Sequence, residues 1–214
     1  VVIEGAAAAL RAGKKLFGLF GGKGGNFEVP QAEDSPGRPL VRPGSEENPS
    51  LAEATLAALD YLSGDPDGFF LVVEQGDIDW ANHDNDFRGM VGCVADLDGA
   101  VRAATAFVDR PGDAVDWTNT VMLVTADHAT GGLVLDGAKR LGLGDLPRQD
   151  PRVAFPEAPP PTGSDRGEAP NGTALKSPVY ASPNVYPDEE IIYGTAGHMN
   201  ELVDLAVAGA AARY

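Results

Sequence analysis

The sequence predicts an α/β fold in which part of a mostly parallel β-sheet is flanked by helices. Two short apolar runs, at residues 69–73 and 120–125, have the composition of buried strands. Between them, residues 86–108 repeat apolar side chains at helical spacing. A strand, a helix and a second strand in this order are typical of the parallel crossover unit. The 214 residues, 43% of them hydrophobic, are enough to build a substantial core.

Further elements are predicted on the N-terminal side of this unit. The apolar stretch at 15–20 predicts a buried strand. Residues 21–49 are rich in Gly, Pro and Glu without periodicity, which predicts a long surface loop. Residues 48–50 form a helix start signal, and apolar side chains at helical spacing extend the predicted helix to Ser63.

The composition changes towards the C-terminus. Ten of the 17 prolines fall between Pro147 and Pro187, and proline disrupts both helices and central strands. We therefore expect residues 141–187 to form a surface insertion. After it, residues 189–193 predict an edge strand and residues 200–212 a C-terminal helix.

The charge and composition exclude several classes of function. A net charge of -16, from 32 acidic and 16 basic residues, is incompatible with a basic surface for nucleic acid. There is no apolar run of 18 residues, so no membrane span is predicted. The single cysteine, Cys93, cannot form an internal disulfide. A phosphate-type ligand would need local cations to reverse the negative field of the chain.

Acidic or imidazole side chains follow three of the predicted strands, those at 69–73, 120–125 and 189–193. The candidate ligands are Glu74, Asp79, His83, Asp127, His128 and His198. Functional groups gather at the carboxyl ends of strands in open α/β sheets, so we expect these six to converge at one edge. Oxygen and nitrogen ligands of this kind suit zinc. Six are too many for one ion and about right for two or three.

A simpler interpretation exists for each part of this pattern. Asp79 and His83 are four residues apart, so one helical turn would set them side by side. The same residue types would also occur in a polar, solvated helix start that follows a strand. A lone histidine is more often an ordinary loop or core residue than a ligand. The three histidines of the chain all follow predicted strands, and this joint placement favours a metal site.

The motifs resemble a known family. The matching segments are residues 16–20, 48–62, 69–85, 124–128 and 194–201. Together they resemble the C-terminal half of the metal-dependent alkaline phosphatases, over most of the chain apart from 141–187. The resemblance implies that residues 1–214 form the C-terminal portion of a single alkaline-phosphatase-like domain, with 141–187 as its surface insertion.

The resemblance also implies a division of the ligands between two zinc ions. Asp79, His83 and His198 would bind the first zinc ion. Asp127 and His128 would bind the second. Neutral imidazoles and carboxylates are the expected ligands of such ions.

Glu74 would hold a third metal, normally magnesium, with zinc as the alternative.

The implied activity is phosphomonoester hydrolysis through a phosphoserine. The nucleophilic serine, a bridging aspartate and a phosphate-clamping arginine belong to the N-terminal half of the family, which this sequence does not contain. We therefore expect this portion alone to be inactive. Family members are usually homodimers that are exported to the periplasm or secreted.

Two alternatives stay open from the sequence. One is another enzyme of the wider superfamily, a phosphoglycerate mutase, a phosphodiesterase or a sulfatase, which share paired Asp and His ligands. The spacing from Glu74 to His83 favours the phosphatase. The other is a zinc-binding remnant that retained the ligands and lost catalysis.

Overall fold

The computed structural model describes residues 2–20, 30–33, 40–42, 49–112, 114–135, 184–185 and 191–210. The helices are α1 (Val2–Arg11), α2 (Leu51–Leu62), α3 (Asp77–His83) and α4 (Phe87–Val108). The strands are β1 (Gln31–Glu33), β2 (Leu40–Arg42), β3 (Val121–Thr125), β4 (Ala129–Thr130), β5 (Leu133–Leu135), β6 (Asn184–Val185), β7 (Ile191–Tyr193), β8 (His198–Met199) and β9 (Leu205–Gly209). None of the helices in these ranges is both long and apolar enough to cross a membrane.

The two long helices form where the sequence predicts them. At the start of α2, the Ser50 hydroxyl accepts a hydrogen bond from the Glu53 N–H at 3.2 Å. The Glu53 carboxylate accepts one from the Ser50 N–H at 2.8 Å, which completes a capping box. At the start of α4, the Asp86 side chain accepts from the Gly89 N–H at 3.0 Å. These contacts satisfy N–H groups that lack partners inside the helices.

Helix packing builds one part of the core. α2 packs against both α1 and α4, and the short helix α3 packs against α4. The buried residues of α2 and α4 are Thr55, Ala57, Leu59, Phe87, Gly89, Gly92, Cys93, Ala100, Phe107 and Val108. A second cluster joins the start of α4 to the sheets through Ala32, Phe87, Ile191 and Tyr193, with Met90, Val91 and Leu133 packed against it. This second cluster supports the region that carries the candidate ligands.

The predicted parallel sheet is not present in the described part of the chain, where every strand pairing is antiparallel. β1 pairs with β2, β3 with β9 and β4 with β8, while β7 lies between β5 and β6. The sequence predicts residues 69–73 as the first strand of the crossover unit, but these residues do not form a strand. A β-strand forms only where a neighbouring strand exchanges backbone hydrogen bonds with it. The described residues provide no such partner strand for this segment.

Two predicted buried strands are instead largely exposed segments. Residues 15–20 and 69–73 both lack strand structure. The side chains of Phe17 and Phe70 are each 87% exposed. Their apolar composition predicted burial, and none of the described residues covers these two side chains.

The prediction of a helix at 200–212 is wrong for the described residues. Residues 205–209 form β9, which pairs with β3 in a register that joins Leu205 to Thr125 and Gly209 to Val121. Its alanines have high helix propensity, but the five-residue ladder with β3 outweighs that preference.

The other predictions near the C-terminus have mixed outcomes. A strand at 189–193 is confirmed as β7, but β7 is the centre of its sheet instead of an edge, and Ile191 and Tyr193 are fully buried. The predicted insertion at 141–187 lies outside the described residues except for β6. The predicted loop at 21–49 is described at 30–33, 40–42 and 49, and contains the short hairpin of β1 and β2.

Cys93 yields a prediction about thiol reactivity. Burial, followed by the negative charges of Asp77, Asp96 and Asp86, raises the pKa of Cys93 to about 12. The thiolate is the nucleophile, so we expect negligible alkylation of the folded protein by iodoacetamide at pH 8. In urea the pKa returns to its ordinary value and alkylation should be rapid. Mass spectrometry over time, with and without urea, measures both rates, and equal rates would contradict the prediction.

Candidate metal centre

Three segments that are distant in sequence carry the candidate ligands. Asp79 and His83 lie one turn apart on α3. His128 immediately precedes β4, and His198 begins β8. The β4–β8 ladder pairs Thr130 directly with His198, and α3 contacts β4. This pairing brings the three segments together on one side of the small sheet.

The Asp79 carboxylate lies at the centre of the cluster. Its Oδ2 atom is 3.1 Å from Nε2 of His83, and its Oδ1 atom is 3.6 Å from Nε2 of His198. The two histidine Nε2 atoms are 3.1 Å from each other. The rings of His128 and His198 stack with centroids 3.6 Å apart. Among the described residues, Asp79, His128 and His198 offer ligand atoms that all lie within 4.8 Å of one another.

The hydrogen bonds of two histidines fix which ring nitrogen carries the proton. Nδ1 of His83 contacts the backbone carbonyl oxygen of Ala196, which can only accept, so Nδ1 donates. The Thr130 hydroxyl donates to Oδ1 of Asp79, and its oxygen lies 3.1 Å from Nδ1 of His128. Nδ1 of His128 is therefore the donor to Thr130. With Nδ1 as the donor, Nε2 is the ring nitrogen through which a neutral imidazole at either position would bind metal.

This donor set fits zinc. The Nε2 atoms of His83 and His198 lie 3.1 Å apart beside the carboxylate of Asp79, so neutral imidazoles there could bind one cation together with that carboxylate. Ligands about 2.0–2.1 Å from one tetrahedral zinc ion are about 3.3–3.4 Å from each other. The observed separation of His83 and His198 is close to that value. The carboxylate of Asp79 completes a set of nitrogen and oxygen ligands that zinc prefers.

The remaining two candidates lie at different distances from this cluster. Asp127 is strongly exposed, with Oδ2 3.2 Å from Nε2 of His128. His128 therefore directs its Nε2 atom towards Asp127, whereas His83 and His198 direct theirs towards each other. Glu74 is exposed in the segment that precedes α3. Among the described residues, the group of ligand atoms within 4.8 Å of one another does not include Glu74.

A set of supporting residues was not anticipated from the sequence. Asn85 is buried and has a positive φ of 54°, and its Nδ2 donates to the carbonyls of Asn82 and Thr195, both at 2.9 Å. The Tyr193 hydroxyl donates to Oδ1 of Asn82 at 3.2 Å. These bonds tie the end of α3 to the segment that carries His198. Asparagine in a short turn between two helices is a signal for positive φ, but its partner 110 residues away has no sequence signal.

Negative charge surrounds the start of α3. Burial, and then the carboxylate of Asp96, raise the pKa of Asp77 above its ordinary value. Asp79 follows two residues later on the same helix. Closely spaced carboxylates create a local potential that attracts cations.

Comparison with known proteins gives consistent results. The family model described as alkaline phosphatase matches residues 7–192. Alkaline phosphatase 4 of Bacillus subtilis is 41% identical over 87 residues, which are 41% of this chain and 18% of that protein. The alkaline phosphatase of Escherichia fergusonii is 38% identical over 136 residues, covering 58% of this chain and 27% of that protein. The chain thus spans well under half the length of these curated relatives.

One solved structure aligns with part of the chain. The alkaline phosphatase from the Antarctic bacterium TAB5 aligns with a TM-score of 0.44 and 25% sequence identity. The alignment covers 74% of this chain and 33% of that chain.

Proposed function

Since the chain belongs to the alkaline phosphatase family, we propose that it supplies most of the metal ligands for the hydrolysis of phosphomonoesters to phosphate and an alcohol. The observation that carries the proposal is the convergence of His83 and His198 on the carboxylate of Asp79. Neutral imidazoles and a carboxylate at these separations have the donor chemistry of a zinc site.

We assign the ligands to two zinc ions and a third metal. Asp79, His83 and His198 hold the first zinc, and Asp127 and His128 hold the second. Two distances support this division: Nε2 of His128 is 3.2 Å from Oδ2 of Asp127, and Nε2 of His83 is 3.1 Å from Nε2 of His198.

Glu74 holds the third ion, magnesium or zinc, because a lone exposed carboxylate with waters suits a hard cation. Bound metals supply the positive charge that binds and polarises the phosphoryl oxygens. In a chain with a net charge of -16, that charge also allows an anionic substrate to approach. Thr130 and the carbonyl of Ala196 hold the His128 and His83 rings in their ligating orientation.

The rest of the proposed enzyme lies outside this sequence. We place the phosphoserine-forming serine, a bridging aspartate and a phosphate-clamping arginine in the N-terminal half. Exposed apolar side chains on the segment 69–73 and on β3, among them Phe70, Val72 and Leu123, support further strands beside them. We further propose that the full-length protein forms a homodimer and is periplasmic or secreted.

The protein expressed from its complete gene provides the test. We expect it to contain zinc and magnesium by elemental analysis and to hydrolyse p-nitrophenyl phosphate. A chelator should abolish turnover, and zinc with magnesium should restore it. Faster turnover of bis(p-nitrophenyl) phosphate or p-nitrophenyl sulfate would overturn the monoester assignment. Tight zinc binding without turnover of any ester would identify a metal-binding remnant.

A further inference from the structure

Asp96, in the middle of α4, makes hydrogen bonds to two segments outside its own helix. Its Oδ1 atom accepts from the backbone N–H of Leu51 at 3.3 Å, at the start of α2. Its Oδ2 atom accepts from the side-chain amide of Gln75 at 2.7 Å. One carboxylate therefore joins α4, α2 and the segment that leads into the ligand helix α3.

Gln75 extends this connection to the first residue of α3. Its Oε1 atom accepts from the backbone N–H of Asp77 at 3.1 Å. The N-cap residue, Gly76, makes no side-chain hydrogen bond to the helix, so Gln75 takes over part of the capping. The carboxylate of Asp96 can only accept from the Gln75 amide, and this orients the Gln75 oxygen towards Asp77.

The ligand helix needs such external support. α3 has seven residues, and helices of that length are not stable on their own in water. It nevertheless carries Asp79 and His83, whose ligand atoms must keep their separation from His198 to within a few tenths of an ångström. The contacts of His83 and Asn85 support its C-terminal end. The Gln75 bridge supports its N-terminal end.

We propose that Asp96 is a positioning residue for the metal centre, which acts through Gln75 to fix where α3 begins and how Asp79 and His83 face His198. The inference rests on the proposed metal site. Asp96 touches no candidate ligand in this arrangement. Its negative charge lies close to Asp77 and, after burial, raises the pKa of that half-buried carboxyl.

The test compares Asp96→Asn with Asp98→Asn in the protein expressed from its complete gene. Asparagine at position 96 has a single acceptor oxygen, so it cannot accept from both Leu51 and Gln75 with its former geometry. Asp98 is an exposed carboxylate on the same helix that pairs with Arg102 at 2.7 Å. It controls for the loss of a negative charge from α4.

Two measurements report on the two steps of the inference. Hydrogen–deuterium exchange of the metal-free protein should rise several-fold in peptides covering 74–83 for Asp96→Asn, and stay unchanged for Asp98→Asn. Titration with Co²⁺ should show about 10–100-fold weaker binding and an altered visible spectrum for Asp96→Asn, the range typical of groups that orient metal ligands. Asp98→Asn should keep the parent affinity and spectrum.

The outcomes separate this inference from the proposed function. If the parent protein binds neither Co²⁺ nor zinc, the proposed metal site is wrong. Independently of metal binding, unchanged hydrogen–deuterium exchange in Asp96→Asn would show that the Gln75 bridge does not stabilise the start of α3. Parent-like exchange and affinity in Asp96→Asn would refute the positioning role and leave the metal site intact. If Asp96→Asn does not fold, Gln75→Ala removes the bridge and keeps the bond to Leu51. Parent-like Co²⁺ binding in Gln75→Ala would equally overturn the inference.

Discussion

The Asp79→Asn variant of the full-length enzyme is expected to lose zinc and about 1,000-fold in kcat/KM. Asp79 is the carboxylate on which His83, His128 and His198 converge. A neutral amide weakens the attraction for a cation, and its NH₂ group can point a proton at a histidine nitrogen instead. Bound metal contributes several kcal/mol to such reactions, and about 4 kcal/mol corresponds to the stated loss. Turnover of p-nitrophenyl phosphate and zinc content per chain measure the effect.

The matched control is Asp60→Asn. Asp60 is a half-exposed carboxylate whose oxygen lies 3.1 Å from Arg110, and exposed ion pairs contribute about 0–1 kcal/mol to stability. Zinc content and kcat/KM should stay within about twofold of the parent, a difference of about 0.4 kcal/mol. An Asp79→Asn enzyme that retained full zinc and activity would rule out Asp79 as a ligand.

The Gly131→Ala variant is expected to lose about 2–5 kcal/mol of stability. Gly131 has a φ of 84°, and a Cβ atom there would lie 2.8 Å from the Tyr193 ring and 3.0 Å from the Asn82 carbonyl oxygen. The left-handed backbone costs about 1–2 kcal/mol for alanine, and overpacking adds about 1–3 kcal/mol. Relief of the clash would move β4 away from α3 and so separate His128 from Asp79. Urea unfolding gives the stability, and zinc titration reports the site.

Gly112→Ala separates the two contributions. Gly112 has the same φ of 84°, but an added Cβ atom would meet no atom within 4 Å. This variant should lose the backbone contribution alone, about 1–2 kcal/mol, with unchanged zinc affinity. Equal losses in the two variants would show that packing around Gly131 is unimportant.

Local signals were sufficient for the helices and insufficient for the sheets. α2 and α4 follow from apolar periodicity and from caps at Ser50 and Asp86, which involve residues three positions apart. The apolar run of β3 was equally clear. Strand pairing depends on residues far away in sequence. The secondary structure of residues 69–73 and of β9 therefore could not be predicted from the residues of these segments alone.

The candidate ligands were predictable, whereas the groups that orient them were not. Asp79, His83, His128 and His198 are chemically conspicuous after apolar runs, and the structure brings these four together. Metal binding by all six candidates, and their division among ions, stay predictions. The carbonyl of Ala196 contacts a histidine 113 residues away, and a backbone carbonyl carries no sequence signature. Asp96 lies on a helix where a polar residue normally indicates a solvated face.

The strand pairings around the centre also determine how freely this protein can change in length. Leu135 at the end of β5 pairs directly with Ile191 at the start of β7, so the chain that connects these two residues starts and ends at neighbouring positions. The entropy of closing a flexible loop grows only with the logarithm of its length, by about 0.6 kcal/mol for each doubling. That increment is smaller than the contribution of about 1 kcal/mol from a single hydrogen bond. Evolution can therefore lengthen or shorten this part of the chain severalfold while His128 and His198 keep their stacked arrangement.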